Sequence, residues 1–265
     1  MKKRINIYGS GWTNQDVIQV SKNLKNIEWV LDGSGKANFY PNTMTHLVLE
    51  DKTSLPKFAW LNESIEVDTY SHNKILTIIE YFDIIFTHNK LLYSKYENIK
   101  FVPASCYWIK APDICKKSKL ISMISSSKNF TYGHKHRINW MSKLKNKVDL
   151  YGQSVNPILY KEQGLNDYMF SVAIENAKYP SYFTEKILDC FATGTIPIYW
   201  GTDHIKTFFN ADGIIELKDN FDPKELNKDF YYDRIQAIKD NLEKVMEYSS
   251  VEDYMYKNYL SERLS

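Results

Sequence analysis

The segment from Thr184 to Gly201 constrains the fold more than any other, because it joins an amphipathic helix directly to a buried strand. Thr184 offers a hydroxyl to cap the first turn, Ile187, Leu188, Phe191 and Ala192 recur at helical spacing, and Gly194 suits the left-handed stop. The apolar run Thr195 to Trp200 follows immediately and reads as a strand. A helix delivered so abruptly into a strand is a unit of an α/β domain. One residue is out of place: Lys186 sits in the first helical turn, where the helix dipole disfavours a cation by roughly 0.3–1 kcal/mol. A bound anion reverses that sign.

At 265 residues the chain is long enough for two such domains, each with its own core. In the first half, strands are expected at Ile5 to Tyr8, Glu28 to Leu31, His46 to Leu49, Lys57 to Leu61 and Asp83 to Thr87. Helices are expected from Asn14 to Leu24, Asn73 to Tyr81 and Lys90 to Tyr96, which makes this half Rossmann-like. Gly9-Ser10-Gly11 and Gly33-Ser34-Gly35 lack the third glycine of a dinucleotide fingerprint and read as tight turns. A boundary is placed near residue 113. Beyond it come strands at Leu120 to Ile124, Val148 to Tyr151 and Phe170 to Glu175, a helix from His134 to Leu144, and late helices at Pro223 to Asn227 and Asp233 to Met246. The tail from Val251 to Leu264 carries Tyr256, Leu260 and Leu264 on one stripe and is expected to pack back across both halves as a helix.

Gly133-His134-Lys135-His136-Arg137 puts several cations at a second helix start, and two such starts in one domain point to a shared polyanion. The chain is biased toward Lys, so a planar, bidentate contact is the reason to suspect Arg137. His134 and His136 read as surface imidazoles, since no carboxylate or Cys completes a metal site beside them. The formal charge of +2 gives no basic face for nucleic acid. Cys106, Cys115 and Cys190 form no disulfide framework and no metal pair, which suits a reducing compartment. Lys2, Lys3 and Arg4 are not followed by an apolar run, and Ile75 to Phe86 is too short to span a bilayer, so a cytoplasmic location without a transmembrane segment is expected.

Ala173-Ile174-Glu175-Asn176 together with Tyr182 to Gly201 resembles the donor-binding signature of the α-1,3-fucosyltransferases, the inverting glycosyltransferases of family 10. Glu175, Asn176, Tyr182, Thr184, Glu185, Lys186, Gly194, Pro197 and Gly201 match, whereas Ile174 replaces a Phe and Thr193 an Ala. The likeness covers roughly residues 57 to 220 and is weakest in the N-terminal half. It implies an α/β fold of GT-B type, with two Rossmann-like domains facing across a cleft. An acceptor-side domain would occupy residues 1–112, a donor domain 113–247, and a crossing C-terminal helix 248–265.

By the same resemblance the donor is GDP-fucose, transferred with inversion to a hydroxyl of a glycan acceptor. Arg137 and Lys186 would hold the diphosphate as charge develops on the leaving group, and Glu185 the ribose. Glu175 and Asn176 would face the donor sugar or the loop before the helix, while Tyr182 either meets the donor or packs in the core. The family's base lies after an apolar strand in a Glu-Ser-Pro context. Here that position is Glu63, with Ile65 in place of the proline, and Glu63 would take the acceptor proton. Glu66 and Asp68 lie nearby, and His72 and His88 are weaker base candidates. No Asp-x-Asp cluster offers metal ligands, so no metal and no cofactor beyond the donor substrate are expected. Two alternatives stay open: a GT-B relative using another nucleotide sugar, and a non-catalytic nucleotide-sugar-binding module.

Overall fold

The computed structural model describes residues 1–9 and 23–264. The helix expected from Asn14 to Leu24, and the Gly9-Ser10-Gly11 turn, fall largely outside these residues. The chain divides into two compact units, one of residues 1–104 and 250–265, the other of residues 105–249.

The first unit carries a six-stranded sheet of β1 (Lys3–Ile7), β2 (Ile27–Val30), β3 (Asn38–Pro41), β4 (Lys57–Leu61), β5 (Ile84–Thr87) and β6 (Ile99–Phe101). Its order is β2-β1-β3-β4-β5-β6 and every pairing is parallel. Both faces of a parallel sheet are covered, which is why β5 reads as four successive buried residues. Short helices α1 (Thr69–Lys74) and α2 (Lys90–Tyr93) follow β4 and β5.

The tail belongs to this unit. It forms α7 (Val251–Met255) and a π-helical turn over Tyr256–Leu260, with Leu260 and Leu264 buried. Tyr259 donates its hydroxyl to the Phe101 carbonyl at 2.8 Å, and the Asp253 carboxylate accepts the Lys25 and Asn26 amides.

The second unit has β7 (Lys119–Ile124), β8 (Asp149–Tyr151), β9 (Tyr168–Ile174), β10 (Ile196–Trp200) and β11 (Ile215–Glu216), in parallel order β11-β10-β9-β7-β8. Its helices are α3 (Tyr132–Lys143), α4 (Glu185–Ala192), α5 (Lys228–Tyr232) and α6 (Ile235–Val245). Met123, Trp140, Phe170, Val172, Ile198, Tyr231 and Ile238 form the core between sheet and helices. Successive strands leave β7 in opposite directions, so the order reverses between β7 and β9. Open α/β sheets bind ligands beyond the strand ends at such a reversal.

Several expectations change. The segment His46 to Leu49 is not a strand: Asn42–Glu50 is a 3₁₀ helix whose buried Thr45 and Val48 are three residues apart. Its β-branched residues imitate a strand signal. The strand β3 lies earlier, hidden by its terminal Asn38 and Pro41, and Asn38 is tolerated in the core because it pairs with Asn6 at 2.8 Å and Asp51 at 2.8 Å. Residues 105–112 lie with the second unit rather than the first, since the Tyr107 amide donates to the Tyr248 carbonyl and the Trp108 amide to Asp189.

Candidate active site

α4 begins as its sequence dictates. Thr184 caps it, and Gly194 takes φ +66°, a backbone region that carries a steric cost for other residues. The residue that organises this start is Glu175, just past β9 and without solvent exposure. Its carboxylate accepts the Thr184 amide at 2.9 Å and the Thr184 hydroxyl at 2.7 Å, and lies 3.5 Å from the Lys186 ammonium. Burial raises the pKa of Glu175, an effect that Lys186 opposes. For Lys186, burial works against the charge, but Glu175 and Glu185 outweigh it and raise the pKa.

The next residue organises α3. The Asn176 carbonyl accepts the Thr131 hydroxyl at 2.7 Å and the Gly133 amide at 3.1 Å. A side chain at position 133 would strike the carbonyls of Glu175 and Asn176, so only glycine permits this approach. His134 is buried here, which corrects its reading as a surface imidazole. It completes a capping box with Thr131, and burial reinforced by Arg137 and Lys186 pushes its pKa down to about 4. His136 is half-buried and accepts the Trp140 indole N–H at 3.1 Å.

The two helix starts meet at a cavity of about 560 Å³ at the reversal point, beyond the ends of β7 and β9. Arg137, Asn176, Glu185 and Lys186 all line it. Arg137 is only 4% exposed, donates to the Ser126 hydroxyl at 2.8 Å, and leaves its buried Nε without a partner among the described residues. Among the described residues no carboxylate lies within ion-pair distance of it, although Glu175 and Glu185 are near enough to favour its charge against the effect of burial. A buried guanidinium in that state is a ready anion site.

Glu175 and Thr184 stand behind the wall as supports. Tyr182 is buried with its ring stacked on Tyr179, at 4.9 Å between centroids, and is not among the lining residues.

The far end of the cavity holds residues that sequence reasoning missed. Lys161 lies 2.7 Å from Asp189, 3.6 Å from Glu185 and 4.1 Å above the Trp108 ring. Burial raises Asp189 to a pKa of about 6 despite Lys161, whereas Lys186 and Lys161 overcome burial and lower Glu185 to about 2. The available signal was Glu185 and Asp189 four residues apart on one helix face, a spacing that lets both reach one cation. A larger open hollow of about 930 Å³ lies beside the edge strand β8 and contains none of the predicted site residues.

In the first unit, Glu63 follows β4 and is exposed. Its neighbour Asn62 lines a cavity of about 270 Å³ with Ile7, Pro41, Asn42 and Trp60, beyond the ends of β1, β3 and β4. The Trp60 indole nitrogen is buried without an acceptor among the described residues. Asp68 caps α1 by accepting the Ser71 amide at 3.0 Å, so it is occupied structurally. Among the described residues no three His, Cys, Asp or Glu side chains gather with metal-binding geometry, and no helix is long and apolar enough to cross a membrane.

Two parallel α/β units, one with a cation-lined cavity at its reversal point, define a GT-B fold, the architecture of many nucleotide-sugar glycosyltransferases. Residues 114–263 match the model described as "Glycosyltransferase family 10 (fucosyltransferase) C-term", and the chain belongs to that family.

Among curated relatives, an alpha-(1,3)-fucosyltransferase FucT of Helicobacter pylori is 39% identical over 64 residues, covering 23% of this chain and 13% of that protein. Human 4-galactosyl-N-acetylglucosaminide 3-alpha-L-fucosyltransferase 9 is 24% identical over 123 residues, covering 44% of this chain and 33% of the relative. The aligned segments thus span a third or less of these relatives' lengths. A crystal structure of an alpha1,3-fucosyltransferase with GDP superposes with a TM-score of 0.58 at 14% identity, covering 94% of this chain and 92% of that one. An alpha-glucosyltransferase in complex with UDP and a 13-mer DNA gives 0.50 at 13% identity, covering 98% and 99%.

Proposed function

We propose that this protein transfers L-fucose from GDP-fucose, with inversion, to a hydroxyl of a glycan acceptor. The observation that carries the reading is the buried Arg137 guanidinium, short of partners and set in one cavity wall with Lys186. A diphosphate supplies the missing acceptors. The guanidinium fork and the ammonium bind its oxygens and stabilise the charge that grows on GDP as the glycosidic bond breaks. Glu185, held ionised by its two lysines, accepts hydrogen bonds from the ribose diol. The identification of the base as guanine and of the sugar as fucose rests on the family.

In the reaction, the acceptor oxygen attacks the anomeric carbon, the bond to the β-phosphate oxygen breaks, and the acceptor proton passes to the Glu63 carboxylate. Asn62, Asn42 and the Trp60 N–H offer polar contacts to a sugar in the cavity beside Glu63. With two cations available to the leaving group, transfer proceeds without a divalent metal.

The test is transfer from GDP-fucose and a panel of other nucleotide sugars by the native chain and Glu63→Gln. The variant keeps shape and hydrogen bonding but cannot take the proton, so turnover falls by roughly 10²–10⁴ while GDP still binds. Near-normal turnover in Glu63→Gln, with loss in Glu66→Gln or Asp68→Asn, moves the base along the loop. Activity only with a different nucleotide sugar overturns the donor.

A further inference from the structure

The main chain at Glu63 is gripped by two buried imidazoles. His72, in α1, places Nε2 3.0 Å from the Glu63 carbonyl oxygen, and His88, just after β5, places Nε2 3.1 Å from the same atom. A carbonyl oxygen has two lone pairs and can accept both N–H groups. The proton positions follow from the partners. A carbonyl cannot donate, so each Nε2 must carry hydrogen. For His72, the Asn89 side-chain nitrogen approaches Nδ1 at 3.4 Å, and an amide nitrogen only donates, which leaves the His72 proton on Nε2. Burial lowers the pKa of both rings, that of His88 to about 3, so both are neutral donors rather than bases.

The flanking peptides are fixed as well. The Asn62 amide donates to the Asn42 side-chain oxygen at 3.0 Å, and the Asn42 amide group donates to that of Asn62. The Ser64 carbonyl accepts the Val67 and Asp68 amides, each at 2.9 Å. With the chain secured before, at and after Glu63, the direction of its Cα–Cβ bond is set. Its carboxylate is nonetheless exposed and has no hydrogen-bond or ion-pair partner among the described residues. A rigid stem under an unengaged carboxylate is an arrangement that a structural loop does not need.

We propose that His72 and His88 are positioning residues that aim the Glu63 carboxylate by clamping its own carbonyl, an inference that rests on Glu63 being the base. Misplacing a reacting group by about 1 Å costs about 10²-fold in rate. His72→Leu and His88→Leu, which remove the donor, are therefore expected to lower kcat by up to that factor while leaving GDP affinity, measured by calorimetry, unchanged. His72→Gln and His88→Gln, which can present an amide N–H near the former Nε2, restore most of the loss.

In a Glu63→Gln background the Leu substitutions lower turnover no further, because there is no base left to aim. Native-like kcat in the Leu variants, or an equal additional loss in the Glu63→Gln background, overturns the positioning role and leaves the base assignment standing. Native-like turnover in Glu63→Gln alone overturns the base assignment and the positioning role with it. One measurement needs no variant: nitrogen NMR of the native protein should find both rings as Nε2–H tautomers. An Nδ1–H tautomer at either ring refutes the clamp.

Discussion

Arg137→Met separates a ligand-binding guanidinium from a structural one. The native side chain is 4% exposed, and among the described residues its Nε lacks an acceptor and its one hydrogen bond runs to Ser126 at 2.8 Å. Methionine of similar reach loses that bond, worth about 1.5–3 kcal/mol for a charged donor, but removes a desolvated charge whose burial costs several kcal/mol. The ligand-free variant should therefore unfold at the same temperature as the native chain or higher.

With ligand the sign reverses. A phosphate contact worth about 1.5–3 kcal/mol translates to a dissociation constant for GDP raised roughly 10- to 150-fold. GDP at 100 times its native dissociation constant stabilises the native protein by about 2.7 kcal/mol, and at the same concentration the variant keeps only about 0.3–1.4 kcal/mol of that shift. Calorimetry for affinity and thermal unfolding with and without GDP read out both halves. A variant that binds GDP normally but unfolds earlier without it refutes the reasoning, because the guanidinium would then be serving Ser126 and the fold.

Two further outcomes are expected. If Arg137 and Lys186 carry the charge compensation, as proposed, transfer should persist in excess EDTA. Activity that disappears on chelation and returns with Mn²⁺ contradicts this. Glu185 has a folded pKa of about 2 against 4.5 for the free side chain, so its contribution is complete above about pH 4.5 and is lost as pH falls toward 2. Glu185→Gln should flatten the fall in stability across that acid window by on the order of a few kcal/mol, as followed by denaturant unfolding at fixed pH values. An unchanged slope would mean that the lysines do not hold Glu185 ionised.

The second unit was the more legible in sequence, for a physical reason. Its helix ends are written in local chemistry: a Thr cap and cations where the dipole resists them at the starts, and a glycine where the chain turns left-handed at the close of α4. The supports were less legible because they depend on distant partners. Lys161 meets Asp189 across 28 positions in the chain, so the spacing of Glu185 and Asp189 signals a shared cation without saying which residue supplies it. His134 was misread because capping boxes are usually completed by Glu or Gln, and its imidazole takes that role here.

In the first unit, β3 escaped notice because Asn38 satisfies its polar group through Asn6 and Asp51, neither of which is adjacent to it. Glu63 was visible as a carboxylate after an apolar strand. The imidazoles gripping its carbonyl were not, since they come 9 and 25 residues later.

Both cation-bearing helix starts are referenced to a single dipeptide: Glu175 secures one through Thr184, and Asn176 secures the other through Thr131 and Gly133. In an assembly whose parts are each located from a common datum, placement errors do not accumulate along the intervening chain. The spacing of Arg137 and Lys186 is accordingly insulated from changes in the long connection between α3 and β9, residues 144–167. That connection also contributes β8 to the sheet and Lys161 to the Glu185–Asp189 pair, so only its segments outside these anchors can change without disturbing the cavity. Transplanting this pair of helix starts into another scaffold requires moving residues 131–137 and 175–186 together, because either segment alone leaves behind the surface from which its partner is measured.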